Sequence, residues 1–486
     1  MYNASFSKKL RYIFAYSFAL ISLPLFILSL IETDAKLAGI SIIIVWLFLL
    51  LINFARERVM LFAFTLTFFA FLLGEVFVNY FGDTRLYSIH IESLMHTYVC
   101  LYISIWCVYF GSKIGLKYKI LFGRVGISKR PREEDDINYI RKACRVLFFV
   151  FATCSFAIAI ERFFKVKVLG SYTATFINYH SSLSSVVSKF AGMTDMVFFL
   201  YLGTFPDPRK SKMIFGYKML ISIVVLLYGT RNAIILTVLI IALYCIFYED
   251  AYNIKYKIIP RKMYLFIILV LPIALVFLDY IMSIRDGRTY SFYGIFDSLK
   301  SIVSSLGGSV NVITYGYEYH EALGDKLYSI GNIIDFFTQN VFARVLFGVK
   351  QYGGNTVEMA LYGNSFSNTL TYLVRRSSYL AGYGMGSCYI AEVYHDFGYV
   401  GVVIINLLYG WILSKFTKME TGNYIRNTIV LMATYNILIA PRSYTDGFIS
   451  CFINFSFVLT LLMLFIVIQV IKSKNRFQIR KKDVSI

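Results

Sequence analysis

Charge is scarce in this chain. Asp, Glu, Lys and Arg make up 16% of its 486 residues, against about a quarter in a soluble globular domain. With 58% hydrophobic residues and a mean hydropathy of +0.64, an ordinary soluble fold is excluded. Proline is rarer still, 7 in all, which argues against long disordered linkers. The 7 cysteines (Cys100, Cys107, Cys144, Cys154, Cys245, Cys388 and Cys451) are scattered, mostly in apolar runs, and show neither metal-type spacing nor a disulfide framework. No small-residue cleavage site follows the first apolar run, so the basic start from Met1 to Arg11 reads as the flank of a retained span. Internal repeats and low-complexity segments are also missing.

What is present is a series of apolar runs. A helix needs about 20 such residues to cross the hydrocarbon core. On that rule spans are expected at 11–31, 37–54, 59–79, 97–113, 144–163, 190–205, 214–229, 232–248, 263–280, 396–414, 427–441 and 449–471. The expected class is therefore an all-α polytopic membrane protein with about 12 transmembrane helices.

Lys and Arg alternate between the connections. They crowd Lys8/Lys9/Arg11, Arg56/Arg58, the stretch from Lys113 to Arg145, Arg209/Lys210/Lys212, Lys255 to Lys262, Lys415 to Arg426 and the tail after Lys472. These alternate connections belong to one side, and by the positive-inside bias that side is cytoplasmic. The formal net charge of +20 is accounted for there, leaving no basic patch for nucleic acid to explain. Both termini are then cytoplasmic.

This topology divides the chain into helices 1–9 (residues 1–280), one large loop opposite the cytoplasm (281–395), and helices 10–12 with a basic tail (396–486). Loops of that length are usually functional. Ile295, Leu299, Ile302, Val303 and Leu306 share one helical face, so amphipathic helices on or dipping into the membrane surface are expected, not a separate domain.

Ionisable residues inside spans are expensive and mark candidate sites. Glu75, Glu161, Arg162, Lys189, Asp195 and Asp279 fall in the outer halves of their spans, and Lys218 is expected to snorkel inward. All 5 histidines also lie on the outer side. Either these charges reach individually for the interface, or together they line a water-filled cavity. Arginine stands at three outer helix ends: Arg231 in Gly229-Thr230-Arg231-Asn232, Arg285 in Ser283-Ile284-Arg285-Asp286-Gly287, and Arg442 in Pro441-Arg442-Ser443-Tyr444. Such an Arg either pairs with a nearby acid, such as Asp286 or Asp446, or binds phosphate through its planar fork.

The most pattern-like segment runs from Gly382 to Gly401 and closes the loop. Glu392 and His395, three apart, share a face if helical, and either is chemically able to act as acid or base. A Glu-x-x-His pair can ligate metal, but no second such pair exists, so no metal site and no cofactor is expected.

The run Gly384-x-Gly386-Ser387-x-x-x-Ala391-Glu392-x-Tyr394-x-x-Phe397-Gly398 resembles that of the O-antigen polymerases, as do the Arg after the seventh span, the Arg-Asp opening the loop, and the whole layout. The resemblance implies a GT-C-like enzyme of the bacterial inner membrane, working at the periplasmic face. It implies transfer of a growing polysaccharide from undecaprenyl diphosphate onto the non-reducing end of a new lipid-linked repeat unit. Its partners would be the lipid-linked donor and acceptor, membrane lipid and a chain-length regulator protein. The absence of an Asp-x-Asp motif suits a donor that is not a nucleotide sugar.

On this reading Arg231, Arg285 and Arg442 hold the diphosphate, with Arg375 and Arg376 as weaker candidates. Glu392, in preference to His395, takes the acceptor proton, and Tyr383, Tyr389 and Tyr394 stack on sugars or simply pack. Two alternatives stay open. O-antigen ligases share the layout but place a His where Ser387 stands. A flippase or transporter would bind substrate near mid-membrane, whereas these polar residues lie to one side. A non-enzymatic scaffold leaves the outer arginines without a purpose.

Overall fold

The computed structural model describes residues 2–81, 90–117, 131–169, 181–228, 232–252, 276–277, 280, 283, 294–339, 345–350, 352–416, 419 and 422–483. Among them the regular structure is helical throughout. The order is α1 (Tyr2–Ile31), α2 (Ala35–Asn53), α3 (Val59–Phe68), α4 (Gly74–Phe81), α5 (Ile91–Lys117), α6 (Pro131–Leu169), α7 (Ser185–Gly192), α8 (Thr194–Gly203), α9 (Lys212–Leu227) and α10 (Asn232–Ala251). Beyond the next described stretch come α11 (Ile295–Gly307), α12 (Val310–Glu318), α13 (His320–Leu323), α14 (Gly331–Thr338), α15 (Val357–Tyr362), α16 (Phe366–Val374) and α17 (Arg376–Leu380). The chain ends with α18 (Tyr389–Lys415), α19 (Tyr424–Ile439), α20 (Gly447–Ser450) and α21 (Phe455–Asp483).

Among the described residues 9 stretches are long and apolar enough to cross a membrane: Lys9–Ile31, Ala35–Asn53, Val59–Asn79, Ile91–Lys117, Asp136–Val166, Ser185–Gly203, Asn232–Ala251, Tyr389–Lys415 and Gly447–Lys474. The expected spans 214–229 and 427–441 form α9 and α19, helices of 16 residues each. At about 1.5 Å per residue each measures about 24 Å, shorter than a typical hydrocarbon core. Most of the expected span 263–280 lies outside the described residues.

Local chemistry explains several boundaries. Asp34 caps α2, accepting from the Lys36 and Leu37 N–H groups at 2.8 and 3.2 Å. Such a cap replaces the hydrogen bonds that a helix start lacks. Asn423 does the same for α19 through the Arg426 N–H. α3 runs into α4 through one π-helical turn, Phe69–Leu73.

The tightest helix pair is α5 against α18. A Cβ added at Gly111 would strike the Leu407 carbonyl, and one at Gly410 would strike the Val108 carbonyl. Gly111 and Gly115 form the small-xxx-small spacing that lets helix backbones touch where no hydrophobic drive separates lipid from protein.

Loop helices pack into this bundle. α11 lies against α4, where a Cβ on Gly307 would collide with the Glu75 backbone. α12 sits between α5 and α18, with Val310, Val312, Ile313 and Thr314 buried. Contacts also group by end. Arg11 donates to the Phe54 carbonyl, Arg141 to the Thr204 carbonyl at 2.8 Å, and Lys472 to Asp136 at 2.7 Å. These lie among the basic connections, whereas the described loop helices make their contacts with α4, α5, α18 and the 440–446 turn.

Lys218 does not snorkel. It pairs with Asp195 across α8 and α9, beside Thr237 and Tyr435. Each charge neutralises the other, which removes the need to reach water.

Candidate active site

The Gly-rich run begins as a loop because Gly382 and Gly386 take φ of 88° and 83°, where side-chain-bearing residues are strained. Ser387 then donates its hydroxyl to Oε1 of Glu392 at 2.6 Å, while the Thr445 N–H donates to Oε2 at 2.8 Å. Glu392 is 0% exposed. Around it Thr445 Oγ1 donates to the Tyr389 carbonyl at 3.2 Å, and the Tyr409 hydroxyl donates to the Thr445 carbonyl at 2.8 Å. The Tyr389 hydroxyl donates to Asn406 Oδ1 at 2.6 Å, and Asn406 Nδ2 to Ser104 at 3.0 Å. A buried carboxylate satisfied in this way is a strut between the loop, α18 and the 440–446 turn.

Glu392 thus faces the protein interior with one donor on each carboxylate oxygen. Tyr389 is also 0% exposed.

His395 stands differently. Its Nε2 lies 3.0 Å from the Gly324 carbonyl. A carbonyl only accepts, so Nε2 carries the proton, and in the neutral ring Nδ1 is a bare lone pair. That Nδ1 is, like Glu392, out of solvent contact, and it has no hydrogen-bond partner among the described residues. Tyr328 and His320 hold the ring at centroid distances of 5.0 and 4.8 Å. The next residue, Asp396, takes the Tyr328 and Ser329 N–H groups at 3.1 and 2.7 Å, fixing the segment that carries Gly324. α18 then breaks at Gly398, with φ 61° and ψ −153°. No atom would obstruct a Cβ there, so the backbone conformation alone requires glycine.

Arg442, half-buried, donates to the Leu306 carbonyl and to Ser309 Oγ, each at 3.3 Å, at the junction of α11 and α12. Asp446, the acid expected as its alternative partner, accepts from Asn332 Nδ2 at 2.7 Å and the Ile333 N–H at 3.1 Å. Among the described residues no three His, Cys, Asp or Glu side chains converge as a metal-holding group.

A model of the family O-antigen polysaccharide polymerase Wzy matches residues 11–475. The chain belongs to that family. No curated protein and no solved structure matches it.

In this Wzy-family chain the remaining candidates scatter. Arg375 and Arg376 are exposed, and the Arg376 guanidinium lies 5.2 Å from the Tyr372 ring centroid. Arg231 and Arg285 lie outside the described residues. Tyr383 is 41% exposed. Tyr394 is half-buried among rings, 4.1 Å from His96 and 5.1 Å from Tyr399. Sequence reasoning missed Asp396 and Thr445, whose parts depend on chain neighbours far along the sequence. It also gave Asp446 only as a partner for Arg442. An acid in a short turn between two apolar helices was the available signal.

Proposed function

We propose that this protein polymerises O-antigen at the periplasmic face of the bacterial inner membrane. In this reading it moves the growing polysaccharide from undecaprenyl diphosphate onto the non-reducing end of a fresh lipid-linked repeat unit. The single observation carrying it is the family match along residues 11–475. This reading takes twelve spans and a periplasmic 281–395 loop, which the alternation of basic connections along the sequence supports.

His395, not Glu392, is the proton acceptor, because its Nδ1 lone pair is unclaimed while both Glu392 oxygens are engaged. The acceptor hydroxyl gives its proton to Nδ1 as its oxygen bonds to the donor's anomeric carbon. The anomeric C–O bond to phosphate breaks, and undecaprenyl diphosphate leaves with the electron pair. Arg231, Arg285 and Arg442 stabilise that charge as it develops, with Arg375 and Arg376 further out. Tyr383 and Tyr394 contact sugars, and turnover needs no metal. A chain-length regulator and membrane lipid complete the partners.

The test is the glycan ladder from cells lacking the protein. A single repeat unit on core lipid supports polymerase; no repeat at all points to ligase or flippase. Arg231→Lys and Arg285→Lys, which keep charge but lose the fork, are expected to abolish long chains at normal protein level. Full-length polymer from both removes the diphosphate role, and activity lost in EDTA and restored by a divalent cation removes metal independence.

A further inference from the structure

The helix that follows the segment holding His395 is built inside out. Residues 324–329 are fixed on α18, through the Gly324 carbonyl at His395 and the Tyr328 and Ser329 N–H groups at Asp396. α14 starts two residues later. Its Asn332 and Asp335 are three apart and so share a face. Both are engaged within the protein: Asn332 Nδ2 donates to Asp446 at 2.7 Å, and Asp335 accepts from Asn364 Nδ2 at 2.8 Å. Gly331 has no room for a Cβ against the Asn364 carbonyl. By the helical period the opposite face carries Ile333, Ile334 and Phe337. The isoleucines are half-buried, and Phe337 is 63% exposed. Thr338 turns its hydroxyl back to the Ile334 carbonyl at 2.9 Å. A helix bordered by water does the reverse, keeping its polar face outward.

The chain beyond α14 continues the pattern. Gln339 Oε1 accepts the Tyr352 N–H at 3.3 Å, so the chain between them returns to the end of α14. Within it Val345, Leu346 and Phe347 are 76%, 71% and 79% exposed. Successive side chains leave a backbone in well-separated directions. One rigid protein face therefore does not cover all three, whereas a fluid does. Exposed Lys350 flanks them, and the Tyr352 ring stacks on that of exposed Tyr362 at a centroid distance of 5.7 Å. Apolar residues bordered by a cation and tyrosines are the usual composition of a segment lying in a membrane interface. Placement agrees with composition. α14 packs on α20, at the head of the apolar stretch Gly447–Lys474, where Ile449, Phe455 and Val458 are exposed.

We propose that α14 and residues 345–347 sit in the bilayer leaflet on the loop's side, as a monotopic anchor for the segment that holds His395. The partner is the acyl-chain region of that leaflet, and the anchor is independent of the polymerase chemistry. To test it, the full chain in lipid nanodiscs carries trifluoromethyl-phenylalanine at Phe337, at Phe347 or, as a lipid benchmark, at Phe465, which is exposed on α21. Fluorine NMR relaxation is read with dissolved oxygen, which concentrates among acyl chains, and with a water-soluble gadolinium chelate. At Phe337 and Phe347 the oxygen effect is expected to lie within about twofold of that at Phe465, with the chelate adding little. A strong chelate effect at both positions places them in water and overturns the anchor. Little effect from either reagent means that protein covers them, a second copy in the disc included, and overturns it as well. Failure of the polymerase reading shows separately, as an unchanged ladder in cells lacking the protein.

Discussion

The two ends of the helix bundle hold themselves together differently. At the basic end cations reach for carbonyls or for an exposed acid, as Arg141 does for Thr204 and Lys472 for Asp136. At the loop-bearing end cations also reach carbonyls, as Arg442 does for Leu306, but carboxylates join as acceptors. Carboxylates of Glu392, Asp396 and Asp446 accept backbone N–H groups from segments distant in sequence. Exposed ion pairs tolerate many geometries and contribute little. A buried carboxylate with two donors admits few arrangements and penalises their loss. Position is thus held most rigidly at the end where the candidate chemistry lies, and loosely at the other.

The broadest way to break this comparison is to ask whether the two ends face different compartments. With impermeant thiol reagent applied from outside intact spheroplasts, Asp325→Cys is expected to label fully and Arg130→Cys not at all. The reverse pattern would overturn the topology and every site drawn from it.

Next in size is Glu392. Its replacement by Ala strands the Ser387 hydroxyl and the Thr445 N–H, at a cost of about 3 kcal/mol, visible as a lowered melting temperature in detergent. Glu392→Gln keeps an acceptor for Thr445, and Ser387 can turn its hydroxyl to accept. That variant is expected to retain polymer, whereas His395→Ala loses it at normal protein level. Loss of polymer in a stable Glu392→Gln protein would return the proton-acceptor role to Glu392.

Asp446 sharpens the contrast through pH. Burial pushes its carboxyl up from 3.8, against the opposing pull of Asn332 and the Ile333 N–H. The folded state therefore keeps this proton at a pH where the unfolded chain has released it. Stability from this group is full below the ordinary value and falls as pH rises through the folded one. Relative to Asp446→Asn, the wild type should lose stability as pH rises from 4 to 7. A difference that stays flat, or grows with pH, contradicts the burial argument.

The smallest effect belongs to the basic end. The Lys472–Asp136 pair has side chains 36% and 59% exposed, so Lys472→Ala should cost well under about 1 kcal/mol and fade in high salt. A loss as large as that of Glu392→Ala would erase the distinction between the ends.

Membrane residency was legible because hydropathy adds up locally. Runs such as 37–54 and 59–79 identify themselves from their own composition, and α2 and the α3–α4 pair follow them closely. The amphipathic face of Ile295, Leu299, Ile302, Val303 and Leu306 likewise marked α11. Glu392 was legible as important but not as a strut, since the Thr445 N–H that occupies it lies 53 residues away. The hydrogen bond of Glu75 with Asn311 joins residues 236 apart, and nothing in either neighbourhood announces the other. The pairing of Lys218 with Asp195 was hidden for the same reason.

What the chain alone determined is therefore its apolar helices and the spacing of its basic residues, properties that accumulate residue by residue along the sequence. Only the tertiary structure decided that each Glu392 oxygen has a donor while His395 Nδ1 has no partner among the described residues. A hydrogen bond is made or lost within a few tenths of an ångström, and that placement is set by loop and turn segments that meet only after the helices have packed.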